Sequence, residues 1–359
     1  MKEKLLLIYF NIALTLMLLV CTELTGQVIY YVVNGYPLYE SEKHRSESRL
    51  FELHPYLVGR IKKNKKITKE GITITSTEKH TRWTGAPKNQ DKLIRVAILG
   101  GSTTFGTGVT DKDSWPAILQ KLLGNRYSVT NYGVPGYSTV EAIIQMALTV
   151  PEIRPQIVIF YEGWNDIRNF HDKVAGSDYF SHGMMQYTNL QIGGLSNRQT
   201  LFDKIAGISS IFKLTHVLIS MASADKRNNI HGPIFRTTDE KINKLYVRNL
   251  RTLKKLSNSI DAYAMFIPQV LNYSAFFNSD KSRSWTPFII DSALPELLDQ
   301  FNALMGDVCK VNDAHCQVVN EVTAVNWHPG DFIDDGHLSA SGGRKFARIV
   351  ATRIKLWAH

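Results

Sequence analysis

The chain opens with a nearly unbroken apolar run, Leu5 to Cys21, in which only Asn11 and Thr15 are clearly polar. It follows Met1-Lys2-Glu3-Lys4, and its length is near the lower limit for a membrane span. Beyond residue 90 the pattern changes. Short apolar runs alternate with stretches whose apolar positions recur every three or four residues. Leu93–Leu99, Tyr127–Asn131, Gln156–Tyr161, Ala262–Ile267 and Gln317–Asn320 predict buried strands. Between and after them, Ser114–Leu123, Thr139–Leu148, Asp239–Leu256, Leu294–Val308 and Ser339–Trp357 predict helices. In the first of these, Ser114 holds the capping position, and Trp115, Ile118, Leu119 and Leu122 share one face. Strands alternating with helices imply an α/β fold with a parallel, doubly wound sheet.

The pattern divides the chain in three. Residues 1–22 read as a cytoplasmic tip and a transmembrane signal-anchor. Residues 23–90 read as a membrane-proximal extension, broken at Pro37, Pro55 and Pro87, in which Thr73–Thr77 alternates like an edge hairpin. Residues 91–359 form the main domain. Two stretches, at about 167–238 and 270–291, do not fit the strand–helix rhythm. Insertions after such strands commonly serve as lids or substrate loops. The anchor is favoured over a cleaved signal peptide because Leu18-Leu19-Val20-Cys21 offers no small-x-small cleavage site. Lys2 and Lys4 keep the N-terminus cytoplasmic, which puts the remainder outside. The patch Val28–Val33 is too short to span. It either prolongs the helix or lies in the interface.

Charge adds little to this picture. The net charge is +10, and residues 41–90 hold much of it, with Lys62-Lys63 and Lys65-Lys66 at the centre. No nucleic-acid-binding motif accompanies them, so nucleic acid is excluded as a partner and a solvated basic face is expected. No Cys/His spacing reads as a metal site. Cys309 and Cys316 stand seven residues apart; in an oxidising compartment they can pair, and the sequence leaves paired and unpaired states both open.

The chemistry sits at strand ends. Gly100-Gly101-Ser102-Thr103 follows the first strand, and Asp334-Asp335-Gly336-His337 lies far downstream. Serine at the carboxyl end of a buried strand, with an Asp-x-x-His pair available to activate it, points to nucleophilic acyl transfer. Asn131-Tyr132-Gly133-Val134-Pro135-Gly136 and Gly163-Trp164-Asn165-Asp166 follow two further strands.

These four clusters, in this order, resemble the SGNH hydrolases, or GDSL-like esterases, from about Lys92 to the C-terminus. The first block departs from the family pattern, reading Gly-Gly-Ser-Thr rather than Gly-Asp-Ser-Leu. The resemblance implies a three-layer α/β/α sandwich with a five-stranded parallel, flavodoxin-like sheet, here preceded by a transmembrane helix. It implies Ser102 as nucleophile, His337 as base and Asp334 as its orienting carboxylate. Asp335 and His328 are the nearest competitors, His328 as a structural residue or pocket wall. The N–H groups of Ser102 and Gly136 and the side-chain amide of Asn165 would form the oxyanion hole. Asp166 is expected to cap the segment after it. Trp164 and Tyr137 suit packing or the pocket equally.

The expected protein is therefore a membrane-anchored, extracytoplasmic serine esterase that removes small acyl (acetyl) groups from a glycan or related ester. It needs no cofactor and no metal. Its partners are an ester-bearing small molecule or glycan, and the membrane through the N-terminal helix. Two alternatives use the same sequence: an O-acyltransferase with the same Ser-His-Asp residues, and a non-catalytic glycan-binding or assembly protein on this fold.

Overall fold

The computed structural model describes residues 2–41, 49–57, 59–87, 92–168, 205–215, 218, 235–237, 240–277, 281, 286, 289–310 and 313–357. Most of the expected 167–238 insertion, and part of 270–291, lie outside these residues. The chain forms two compact units. One joins Met1–Arg49 to Gly193–His231, and the other joins Leu50–Ile192 to Gly232–His359.

The first unit is built on helix α1 (Lys2–Asn34), whose 33 residues make it about 50 Å long. The helix runs beyond residue 22, where the membrane span is expected to end. Val28–Val33 prolongs the helix, because nothing in Thr22–Asn34 breaks it. Gly35 does, in the left-handed region at φ 78°, with its N–H bonded to Tyr31 O at 2.8 Å and Pro37 following. None of the helix is buried, and it is long and apolar enough to cross a membrane.

The second unit begins with two antiparallel hairpins: β1 (Phe51–Leu53) with β2 (Gly59–Ile61), and β3 (Lys66–Lys69) with β4 (Ile72–Thr75). Residues 50–87 thus belong to the unit that carries the sheet, and the expected boundary at 91 is not one in the structure. The sheet follows as β5 (Ile94–Gly100), β6 (Tyr127–Asn131), β7 (Ile157–Tyr161), β8 (Tyr263–Phe266) and β9 (Cys316–Val318). All pairs are parallel, in the order β6-β5-β7-β8-β9. The last strand is shorter than predicted, because Asn320 starts a 3₁₀ turn.

The helices are α2 (Ser102–Phe105), α3 (Trp115–Leu123), α4 (Thr139–Leu148), α5 (Trp164–Arg168), α6 (Glu240–Asn258), α7 (Leu294–Leu304) and α8 (Ala340–Trp357). Strand side chains alternate between two cores. Ala97, Leu99, Val158, Phe160, Ala264 and Phe266 join the core with α4, α6 and α7. Val96, Ile98, Ile157, Ile159 and Met265 join the core with α3 and α8. The result is the three-layer α/β/α sandwich. Because β6 and β7 flank β5 on opposite sides, the carboxyl end of β5 lies at the switch point of the sheet, where open α/β folds form a crevice. Cys309 and Cys316 are joined by a disulfide that ties the end of the α7 connection to β9.

Candidate active site

Ser102 is the first residue of α2, immediately beyond β5. So short a helix can satisfy only its first carbonyls itself, and surrounding residues supply donors for the rest. Gly101 O accepts from Phe105 N, and Ser102 O from Gly106 N, both at 2.9 Å. Trp115 Nε1 donates to Thr103 O at 3.1 Å, and Asn131 Nδ2 to Thr104 O at 2.9 Å. Arg82 reaches in from beyond the hairpins and donates to Phe105 O at 2.7 Å, Gly106 O at 2.5 Å and Val109 O at 2.6 Å. Every carbonyl from Gly101 to Gly106 therefore has a donor.

Arg82 is fully buried, and its Nε lies 3.3 Å from Asp111 Oδ1. Burial draws its guanidinium below the ordinary arginine range, and Asp111 opposes that shift. Sequence reasoning missed it. It is one cation among twelve in a basic segment, and no spacing sets it apart.

His337 Nε2 is 2.7 Å from Ser102 Oγ, and His337 Nδ1 is 2.6 Å from Asp334 Oδ2. Asp334 Oδ1 also accepts the N–H groups of Gly336 and His337, at 3.0 and 2.9 Å. The bond from Ile333 N to His337 O at 2.8 Å closes the 333–337 loop, so one carboxylate both shapes the turn and orients the ring. Burial alone would raise the Asp334 carboxyl, but the bond and charge of His337 and the two backbone donors outweigh it and hold it down to about 2. Such a chain can move a proton from serine to imidazole while the carboxylate steadies the positive ring.

Of the competitors, Asp335 lines the same cavity, but Asp334 is the carboxylate bonded to His337 Nδ1. Asp335 offers its backbone carbonyl to Asn272 N at 2.9 Å. His328 caps the 3₁₀ turn Pro329–Asp331, its N–H bonded to Asp331 Oδ2 at 3.0 Å.

Asn165 lies in the first turn of α5, just beyond β7. Its Nδ2 donates to Tyr137 O at 2.6 Å, and Gly101 lies against the same nitrogen. Gly136 sits at φ 83°, a left-handed conformation that a side chain would strain. Asp166 is buried beside the start of α4. It accepts from Thr139 N and Thr139 Oγ1 and so ties α5 to the start of α4. Tyr137 is packing rather than pocket: it is buried and its hydroxyl donates to Gly59 O. Trp164 does face the cavity. Gln269, which sequence reasoning also missed, accepts from Trp164 N at 3.2 Å and donates to Tyr161 O at 3.1 Å, bridging the ends of β7 and β8.

Ser102, Gly136, Asn165, Asp334 and His337 line one cavity of about 380 Å³. Pro135, Trp164, Val270 and Leu271 form its apolar walls.

Residues 98–217 match the model of the GDSL-like Lipase/Acylhydrolase family. Several solved structures are similar at low identity. The structure of TesA is 14% identical over 73% of this chain and 98% of its own, with a TM-score of 0.41. A GDSL-like lipase from Bacteroides thetaiotaomicron is 13% identical over 76% of this chain and 91% of its own, with a TM-score of 0.40. A catalytic mutant of Axe2, an acetylxylan esterase from Geobacillus stearothermophilus, is 13% identical over 72% and 93%, with a TM-score of 0.39. The sequence matches no curated protein. The family match covers the end of β5, α2 and the two loops that carry Gly136 and Asn165, and the chain is an ester hydrolase similar over these residues to the GDSL-like lipases and acylhydrolases.

Proposed function

We propose that this ester hydrolase works outside the cytoplasm, tethered by α1, and removes small acyl groups, acetyl foremost, from a glycan or related ester. The observation that carries the mechanism is His337 standing between Ser102 Oγ at 2.7 Å and Asp334 Oδ2 at 2.6 Å. Ser102 Oγ attacks the ester carbonyl as its proton passes to His337 Nε2. Asp334 holds Nδ1–H and stabilises the imidazolium. The Ser102 and Gly136 N–H groups and the Asn165 amide meet the negative oxygen. His337 then returns the proton to the departing alcohol, leaving an acyl-enzyme. Water repeats the sequence and releases the acid.

Two observations support the location. Lys2 and Lys4 precede the apolar helix, which favours a cytoplasmic N-terminus. The Cys309–Cys316 disulfide suits an oxidising compartment. The substrate class rests on that exported setting and on a cavity of about 380 Å³ whose apolar walls line the same space as Ser102.

The test is a pulse of acetylated oligosaccharide on full-length protein, quenched in acid and digested for mass spectrometry. An acetyl group on Ser102, absent in His337→Ala, is expected. Turnover without any adduct on Ser102, together with no labelling by a fluorophosphonate, overturns the mechanism. A parallel time course with added deacetylated glycan distinguishes water from a sugar hydroxyl as acceptor.

A further inference from the structure

The outer half of α1 carries Glu23, Gln27 and Tyr30 at i, i+4 and i+7, one face of an otherwise apolar helix. All three meet the same stretch of the first unit, residues 208–213. The Glu23 carboxylate accepts from Ser209 Oγ at 2.8 Å and from the N–H groups of Ser210 and Ile211 at 2.7 and 3.2 Å. Gln27 Nε2 donates to Ile208 O at 2.7 Å. The Lys213 ammonium stands 4.6 Å from the centre of the Tyr30 ring. A Cβ on Gly26 would lie 2.2 Å from Ser210 Oγ, so the glycine is what lets the two segments approach.

This contact sits at a definite depth. Counted from Leu5, about 20 residues of helix cross a hydrocarbon core of about 30 Å, which brings the outer boundary close to Glu23. Tyr30, Tyr31 and Tyr36 lie just beyond, as aromatic residues do in the headgroup belt. The docked stretch is apolar from Ile205 onward but too short to span, and Ile208, Phe212, Leu214 and Leu218 are exposed. A carboxylate at this depth is costly unless paired, and the Ser209–Ile211 donors pair it. We infer that residues 205–215 form an interfacial element, clamped by Glu23, Gly26 and Gln27 and seated in the outer headgroup region of the bilayer that α1 crosses. Its partner is the lipid surface. The stretch binds there through its exposed apolar side chains, so the catalytic chain is held to the membrane at a second point beyond the anchor itself.

The inference rests on α1 being a membrane span, and the experiment separates the two. Full-length protein carrying Cys21→Ser and Phe212→Cys is labelled with an environment-sensitive fluorophore and reconstituted in phosphatidylcholine–phosphatidylglycerol vesicles. Lipids bearing a shallow nitroxide should quench the label strongly, and aqueous iodide weakly. Adding Gly26→Leu should reverse the order, raising iodide quenching about threefold, while vesicle retention after an alkaline wash and hydrolysis of a soluble aryl acetate stay unchanged. A retained protein whose label is open to iodide even without Gly26→Leu overturns the interfacial element and leaves the anchor standing. Loss of the protein from washed vesicles overturns the anchor and this inference with it. The label in the protein with native Gly26 decides the matter even if the Gly26→Leu variant does not fold.

Discussion

Gly101 and Asn165 exclude one another's growth: a Cβ at position 101 would lie 2.4 Å from Asn165 Nδ2. The glycine stands where the family pattern places aspartate, one residue before Ser102. The amide it accommodates is held by Tyr137 O and lines the cavity beside Ser102. The departure in the first block is therefore coupled to the position of a group proposed to act at the oxyanion.

Gly101→Ala should fold with a local shift, since the atom that obstructs most is the end of the Asn165 side chain, with Tyr137 O at 3.1 Å the next. It should lower kcat by about tenfold or more with little change in KM, because a displaced donor weakens binding of the transition state selectively. Asn165→Ala should cost about 10²–10³-fold in kcat. Steady-state kinetics with thermal scans of both variants check this. An unchanged kcat in folded Gly101→Ala would separate Asn165 from the reaction.

Arg82→Lys should damage turnover although the charge is kept. Lysine cannot fork to Phe105, Gly106 and Val109 at once, so buried carbonyls lose their donors, and α2 is free to shift Ser102. A stability loss of about 2–4 kcal/mol is expected from leaving buried carbonyls without their donors. Denaturant titration measures it. A kcat loss exceeding the KM change, at a temperature where the variant is folded, marks Arg82 as a positioning residue; equal stability would show that the carbonyls find other partners.

The Asp334 carboxyl, at about 2, lies below its unfolded value near 3.9. A carboxylate depressed in the fold stabilises it above the unfolded value, and that contribution is lost as pH falls through the folded one. The gap in Tm between wild type and Asp334→Asn should therefore be largest above about pH 4 and close toward pH 2. Thermal scans across that range test it, and a gap independent of pH would contradict the assigned bonds.

Reduction of Cys309–Cys316 should lower stability by about 2 kcal/mol, the loop-closure value for so short a ring. Esterase activity at 25 °C should persist, since neither cysteine lines the cavity. Matched assays with and without reductant measure both. Loss of activity before any loss of fold would mean that β9 governs the site directly.

The alternation of apolar runs and helical stripes was enough to read the sheet, because the central strands β5, β7 and β8 are largely buried on both faces and therefore carry apolar runs. The site residues were legible for a different reason. Ser102, Gly136 and Asn165 follow strand ends, where an open α/β sheet forms its crevice, and His337 stands out through its Asp-x-x-His spacing from Asp334. Arg82 was not legible, since its role depends on carbonyls more than twenty residues away in sequence, and nothing nearby encodes their direction. Whether Val28–Val33 prolongs α1 stayed open in the sequence, because Thr22 and Glu23 interrupt the apolar run. Glu23 is accommodated by Ser209, Ser210 and Ile211, a pairing nearly two hundred residues distant.

Arg82 also has a consequence for where the polypeptide can be cut. A fragment starting at residue 91 would contain all five sheet strands and every residue proposed for the reaction. It would nevertheless leave Phe105 O, Gly106 O and Val109 O without their buried donor and remove the hydroxyl of Thr84 from Val129 O. A fragment starting near Leu50 keeps both. The smallest autonomous enzyme in this chain is thus larger than its catalytic fold.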